Sequence, residues 1–446
     1  MKVENVIFES GERFPMLIDE DGVPDFWTTL YTSQRLRLSH TQSSIIAFLR
    51  SMIHFQKWQQ IQQRDVIAEF RQQRLVSLND IESLKEFCSL SDEYVSKALH
   101  AKPKRKVVKM NDFRLPSSPL SIVGNDLQKR RLHDIAVFLN FVGREILKRK
   151  NNAATLLEFN ESMLKSFKSF YPRSRNKSYR ARLEQASKES FEAFIKVFDP
   201  ESKDNPFKGY DNKLRNYLLV QLLYWTGARS GEIISLTVDD VDYDIEHPSV
   251  TINRRHDDPY DSRKLQPVTK TKSRKVQIPP ALVDDLDYYI NKVRSRYRQS
   301  KKHPYIFVSH KGKTSGQPIS DVTFNNRVIG TVKSINPELF KLVRRHGFRH
   351  YFNERLSDQI DAHNKRIDGE IAEAEAQGLT EQVKQLKSRK ISHQQEVDMR
   401  ADLMGHVSKD SARPYLERHV KRKANQVHKE MMEQMSRTVR EQGERP

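Results

Sequence analysis

LLVQLLYWTGARSGEI, Leu218–Ile233, decides how this chain is read. Its first eight residues form an apolar run broken only by Gln221, far short of the roughly 20 residues that a membrane span requires. The run reads as a helix that stops at a Thr-Gly turn, after which Arg229 and Glu232 stand three apart. Around this stretch lie 446 residues with Lys+Arg 78 against Asp+Glu 58, a formal net charge of +20. Such an excess favours polyanions such as DNA or RNA. The single cysteine, Cys88, excludes an internal disulfide framework and fits a reducing compartment. The amino terminus, MKVENVIFES, has no basic segment followed by an apolar core, so the expected location is cytoplasmic and DNA-associated, without membrane contact.

Sparse Gly (15) and Pro (18) predict a mostly helical chain, and its length suggests two or three domains of roughly 100–200 residues each. From Thr41 to about Ser89, Ile45, Ile46, Phe48, Leu49, Met52, Ile53, Phe55 and Trp58 recur near helical spacing. The pattern resumes from Asp126 with Leu132, Ile135, Phe138, Leu139 and Phe141. Two segments carry bases and no acid. One holds Lys102, Lys104, Arg105, Lys106 and Lys109; the other holds Arg173, Arg175, Lys177, Arg180 and Arg182. Both are expected to touch DNA phosphates, since each Lys or Arg that neutralises a phosphate releases condensed counterions. The second marks the main domain boundary: 1–24 reads as an arm, 25–182 as a helical DNA-binding domain and 183–446 as a second domain. There, helices are expected near Phe191–Phe198 and Lys213–Trp225, a small antiparallel β-meander at Ser249–Asn253, near Val268 and at Lys275–Ile278, and a Pro-led helix from Pro279 to about Gln299. From Ser320 the chain reads as helical again. The fold class is therefore mainly α, an α+β chain with one small sheet.

Four patterns in the second half bear on chemistry. After Arg229 and Glu232 come Lys270 and Lys272 in VTKTKSRKVQIP, then His346 and Arg349 in RRHGFRHYF, and finally His406 and Tyr415 in LMGHVSKDSARPYLER. Each is weak alone: His-x-x-Arg occurs three times, at His346, His363 and His419. Their order within one half of a basic chain resembles the tyrosine recombinases, or phage integrase family, over about Leu183–Lys423. That resemblance implies a helical core-binding domain and a mostly helical catalytic domain. It implies Tyr415 as nucleophile on a scissile phosphate, Arg229, Lys270, His346, Arg349 and His406 around it, and Glu232 in support. Lys272 lies one strand alternation from Lys270 on the same face, so either can reach the phosphate.

The residue types suit that task. A phosphodiester repels nucleophiles, and planar guanidiniums stabilise charge on its non-bridging oxygens. A tyrosine hydroxyl needs a base or a cationic surround to lose its proton, and histidine serves as that base near neutrality. A lysine on a hairpin supplies the proton that the departing 5′ oxygen takes up. The resemblance implies strand cleavage and rejoining at a specific site on double-stranded DNA without metal or ATP, by a homo-tetramer, with accessory DNA-bending or directionality proteins. The alternatives are a type IB topoisomerase-like enzyme and a catalytically silent DNA-binding protein.

Two features depart from the family pattern. Pro414 precedes Tyr415, removing a backbone donor there. Arg349 and His406 stand 57 positions apart, well beyond the usual spacing. The insert 361–400 is nearly neutral, with 6 acids and 2 bases over 361–381 and 2 acids and 5 bases over 382–400. With Ile360, Ile367, Ile371 and Ala374 answered by Leu379, Val383 and Leu386, it reads as a projecting helical hairpin, either a solvated spur or a protein contact. Residues 424–442 place Val427, Met431, Met435 and Val439 at spacings of four, an amphipathic helix that packs on its own domain or docks on a neighbouring protomer.

Overall fold

The computed structural model describes residues 1–100, 121–173, 186–267 and 271–406, together with Ala424, His428 and Met431–Glu433. The chain divides into two compact units, Met1–Tyr179 and Arg180–Pro446. Among the described residues, no helix is long and apolar enough to cross a membrane.

The first unit opens with a β-hairpin, β1 (Lys2–Ile7) against β2 (Arg13–Ile18), in the stretch that reads as an arm from sequence. Among the described residues, its α-helices are α1 (Phe26–Tyr31), α2 (Gln42–Gln62), α3 (Val66–Arg71), α4 (Leu78–Cys88), α5 (Asp92–His100), α6 (Asn125–Leu147) and α7 (Ala153–Ser169). Thr41 caps α2 by accepting from the Ser44 N–H. The face of α2 carrying Ile45, Phe48, Leu49, Met52, Phe55 and Trp58 is buried with Leu132, Ile135 and Leu139 of α6 and with Leu17 of β2. At about 1.5–3 kcal/mol for each large apolar side chain removed from water, this stripe is a large contribution to the unit's stability. Its buried polar node is satisfied. His54 meets the Asp92 carboxylate at 2.9 Å and the Phe87 carbonyl at 3.0 Å, while Arg131 donates to Asp92, Cys88 O and Leu90 O.

In the second unit, α8 (Lys188–Val197), α9 (Tyr210–Thr226) and the short α10 (Ser230–Ile233) pack Phe191, Phe194, Leu218, Leu219, Leu222, Leu223 and Ile233 into a core shared with the sheet. The sheet is antiparallel, in the order β3 (Val241–Asp242), β4 (Ser249–Ile252), β5 (Arg274–Gln277), with Val250 opposite Val241 and Val276. Val241–Asp242 supplies the third strand, and Val268 lies outside the described residues. Helix α11 (Pro280–Tyr288) passes into a π-helical turn and then a 3-10 turn that closes at Arg296, short of the expected Gln299. The cause is Arg294. Its guanidinium donates to the carbonyls of Ser300, His303 and Tyr305, folding the following segment back over the helix end.

The longest helix, α12 (Arg345–Ala376), turns at Gly378 into α13 (Thr380–Arg389), and α14 (His393–Met404) returns beside it. Ile367, Ile371, Ala374, Val383 and Leu386 form a small core of their own between α12 and α13. The pairs Glu375–Lys387, Asp368–Lys390 and Glu370–Arg389 cross the same seam. Exposed pairs contribute about 0–1 kcal/mol, so the five apolar residues hold the hairpin. Leu379, expected on that seam, is the turn residue before α13 and is exposed.

Candidate active site

Two helices end at glycines in the left-handed conformation, and each delivers a site residue. Gly227 (φ +58°) ends α9 and leads into Arg229; Gly405 (φ +61°) ends α14 and leads into His406. Neither turn has room for a side chain. A Cβ at Gly227 would lie 2.7 Å from the Phe352 ring, and one at Gly405 would lie 2.7 Å from the Lys272 carbonyl oxygen. Combining a disfavoured φ with a backbone clash, Gly405→Ala is expected to destabilise the protein by about 1–3 kcal/mol, read as a fall in Tm. An unchanged Tm would show that the turn can relax around a methyl group.

Arg349, one turn into α12, joins the two ends. It is fully buried, and its guanidinium donates to Gly227 O at 3.1 Å, Met404 O at 2.9 Å and His406 Nε2 at 2.9 Å. Both carbonyls belong to helix C-termini, where the aligned peptide dipoles favour a cation. Guanidinium has no acceptor, so the 2.9 Å contact makes His406 Nε2 the acceptor and leaves the ring proton of the neutral imidazole on Nδ1. Burial, then the positive charges of Arg349, Arg229 and Arg274, push His406 down to about 4, which keeps it uncharged near neutrality.

Arg229 is held by Glu232, whose carboxylate accepts from the Arg229 backbone N–H at 3.1 Å and from its guanidinium at 3.3 Å. The Arg229 side chain remains 37% exposed, whereas Glu232 is buried. The two arginines are therefore not equivalent. Arg349 is an interior anchor, and Arg229 faces outward.

Arg274 went unnoticed in the sequence reading. Buried on β5, it donates to Glu232 Oε2 at 2.8 Å, Thr271 Oγ1 at 2.9 Å and Leu403 O at 2.8 Å. Thr271 Oγ1 in turn donates to Glu232 Oε1 at 2.8 Å, and the Lys272 N–H donates to Gly405 O at 3.0 Å. The β4–β5 loop is thus tied both to the Arg229 turn and to the His406 turn. Burial pushes Glu232 up, but the Arg274 charge and its hydrogen bond more than offset this and hold it below the usual carboxylate value. Alternation along β5 carried a signal for Arg274, because it shares the inward parity of Val276 and Ile278. Below the site, Arg400 of α14 donates to the carbonyl and side-chain oxygens of Asn353 and pairs with Glu396, fastening α14 to α12.

His346 is exposed in the first turn of α12, edge to face with His350 at 4.7 Å, and the preceding Arg345 reaches Ser230 Oγ at 3.0 Å. The structure thus brings Arg229, Glu232, Arg349 and His406 together, with Lys272 at the margin through its backbone. Lys270 and Tyr415 lie outside the described residues, as do Lys102, Lys104, Arg105, Lys106, Lys109, Arg175, Lys177, Arg180 and Arg182. Arg173 is described and exposed. Among the described residues, no group of three or more His, Cys, Asp or Glu stands where it can hold a metal ion.

Residues 202–363 match the model of the phage integrase family, a span that contains Arg229, Glu232, Lys270, Lys272, His346 and Arg349 but not His406 or Tyr415. A comparison with curated proteins finds no match. Among solved structures, the Tn1549 transposon integrase in complex with transposon right end DNA shares 13% identity, covering 90% of this chain and 99% of that one, with a TM-score of 0.46. The lambda integrase dimer bound to a COC′ core site shares 12% identity over 87% of this chain and 93% of that one, TM-score 0.40. The XerH site-specific recombinase bound to a palindromic difH substrate shares 14% over 90% and 93%, TM-score 0.38.

Proposed function

We propose, from the match of residues 202–363 to the phage integrase family model, that this protein is a site-specific DNA recombinase that cuts and rejoins strands through Tyr415. The observation that carries the reading is the junction at which Arg349 bonds the neutral His406 while Arg229, steadied by Glu232, faces outward beside it. The scissile phosphate sits against Arg229 and the Nδ1 side of His406, with the Arg349 charge behind. The Tyr415 oxygen attacks phosphorus and the bond to the 5′ oxygen breaks. Lys270, or Lys272 in its place, protonates the leaving 5′ oxygen, and the product is a 3′-phosphotyrosine. Because His406 Nε2 is committed to Arg349, His346 is the base that takes the tyrosine proton. A phosphodiester is exchanged for another, so a second 5′ hydroxyl reverses the step with no ATP.

The basic segments Lys102–Lys109 and Arg173–Arg182 contact the backbone of the same duplex. Four protomers assemble on paired sites, linked by the tail 424–442. The solved DNA complexes named above concern proteins bound to their own DNA.

The test uses a nicked duplex carrying a candidate attachment site. Wild-type protein is expected to form a covalent adduct that survives denaturing electrophoresis, and Tyr415→Phe to form none. An adduct that persists in Tyr415→Phe would assign the nucleophile elsewhere. Absence of any adduct with the wild type would leave a DNA-binding protein, and relaxation of supercoiled plasmids without site preference would support a topoisomerase.

A further inference from the structure

Lys292–Ser320 runs 29 residues with eight Lys or Arg and no Asp or Glu, a third acid-free segment besides the two near Lys102 and Arg173. One of the eight, Arg294, is spent on three carbonyls. The other seven, Lys292, Arg296, Arg298, Lys301, Lys302, Lys311 and Lys313, are all exposed. Among the described residues only Arg296 has an acidic partner, Asp211. A charge run scattered over a surface means little, but here the fold gathers it. The turn at Gly316 packs so tightly on 297–299 that a Cβ there would lie 3.0 Å from Tyr297 Cβ and from Gln299 Cβ. His303 Nε2 meets Gly316 O at 2.8 Å, and the His310 ring stacks on Tyr297 at 4.8 Å, nearly parallel. The basic turns 296–302 and 311–313 therefore form one rigid face. Lys311 and Tyr297 also line a cleft with Lys208, Tyr210 and Asn212 at the start of α9.

That position matters, because Arg229 follows the other end of the same helix. Seventeen residues at 1.5 Å each separate the two ends by about 25 Å, or about seven base-pair steps of 3.4 Å. A phosphate held at Arg229 cannot also touch this face.

We propose that the face built from Arg298, Lys301, Lys302, Lys311 and Lys313 is a second DNA-binding surface, which grips the phosphate backbone of duplex flanking the cleaved position. The inference rests on the recombinase reading but concerns different residues. Its chemistry is sequence-independent: exposed ammonium and guanidinium groups neutralise phosphates, and each contact steepens the dependence of affinity on salt by about 0.9 in the log–log slope.

The experiment measures binding of the full-length protein to a fluorescent duplex, with and without long flanks, across a salt series. A variant with Arg298, Lys301, Lys302, Lys311 and Lys313 all changed to Gln is compared with one that loses the same charge on the α12–α13 hairpin, at Lys365, Arg366, Lys384, Lys387 and Arg389. The first is expected to lower the slope on flanked duplex by about 2–4 and to abolish the affinity gained from flanks. The hairpin variant is expected to retain both. Equal losses in the two variants, or no loss in either, would overturn the proposal. Adduct formation on short duplex at saturating protein should be unchanged in the first variant, which separates this surface from the cleavage site. A wild type that binds no duplex would sink the recombinase reading as well.

Discussion

Arg349→Ala is expected to cut covalent adduct formation, a loss of about 10²–10³-fold in cleavage rate, and to lower stability by roughly 3–5 kcal/mol. The two effects share one origin. Three groups depend on this guanidinium: Gly227 O, Met404 O and His406 Nε2. Each is buried or at a helix end where water does not replace the donor, and an unsatisfied buried acceptor costs about 1–3 kcal/mol. Arg349→Lys separates charge from geometry, since an ammonium cannot span two helix ends and an imidazole as a planar fork does. If Arg349→Lys cleaves at the wild-type rate, charge alone suffices and the fork is not required. The pH dependence has a definite sign. His406 sits at about 4 in the folded protein against an ordinary 6.5, so on acidification the unfolded chain binds the proton first. Its contribution to stability is complete above about pH 6.5 and is lost as pH falls toward 4. Removing Arg349 relieves one of the charges that depress His406, so its NMR titration should move upward in the variant while burial holds it below 6.5.

Much of this was open to a reader of residues alone, for identifiable reasons. The face of α2 from Ile45 to Trp58 is legible because helical periodicity and burial coincide there. Arg229 and Glu232 are legible because three-residue spacing after a Thr-Gly stop places both at a helix start. The β1–β2 hairpin was missed because Pro15 sits inside β2, and proline argues against a strand except at a sheet edge, which both strands of this two-stranded hairpin are. Arg274 was missed for a deeper reason. An Arg among Lys272 and Lys275 reads as one more surface cation, and its burial is set by a carboxylate 42 residues earlier and a carbonyl 129 residues later. The strand alternation marks its inward face, but no local pattern encodes such partners. The early end of α11 has the same character, because Arg294 bonds carbonyls that only the returning chain brings near.

Arg274→Leu is the companion prediction, with an expected loss of about 3–5 kcal/mol in stability and a fall in adduct formation on the order of 10²-fold. The side chains of Arg274 and Glu232 are only 5% and 1% exposed, so removing one partner strands the other's charge in the interior. Burial then acts on Glu232 without its main opponent, which shifts the carboxyl upward and weakens it as the acceptor for the Arg229 backbone N–H, the Arg229 guanidinium and Thr271. Arg229 would lose its fixed direction, and the loop bearing Thr271 and Lys272 would lose its tie to Leu403 through Arg274. Stability and positioning can be told apart by also replacing Glu232. Apolar residues of matching volume often substitute for a buried ion pair at no net cost, so Arg274→Met with Glu232→Met should regain most of the melting temperature. The double variant has nothing to orient Arg229, however, so its adduct rate should stay low while duplex affinity remains near wild type. If the restored fold also restores cleavage, the pair serves stability alone and Arg274 has no positioning role. If cleavage stays low, the path from Arg274 through Glu232 to Arg229 is what aims the outward-facing guanidinium at the phosphate.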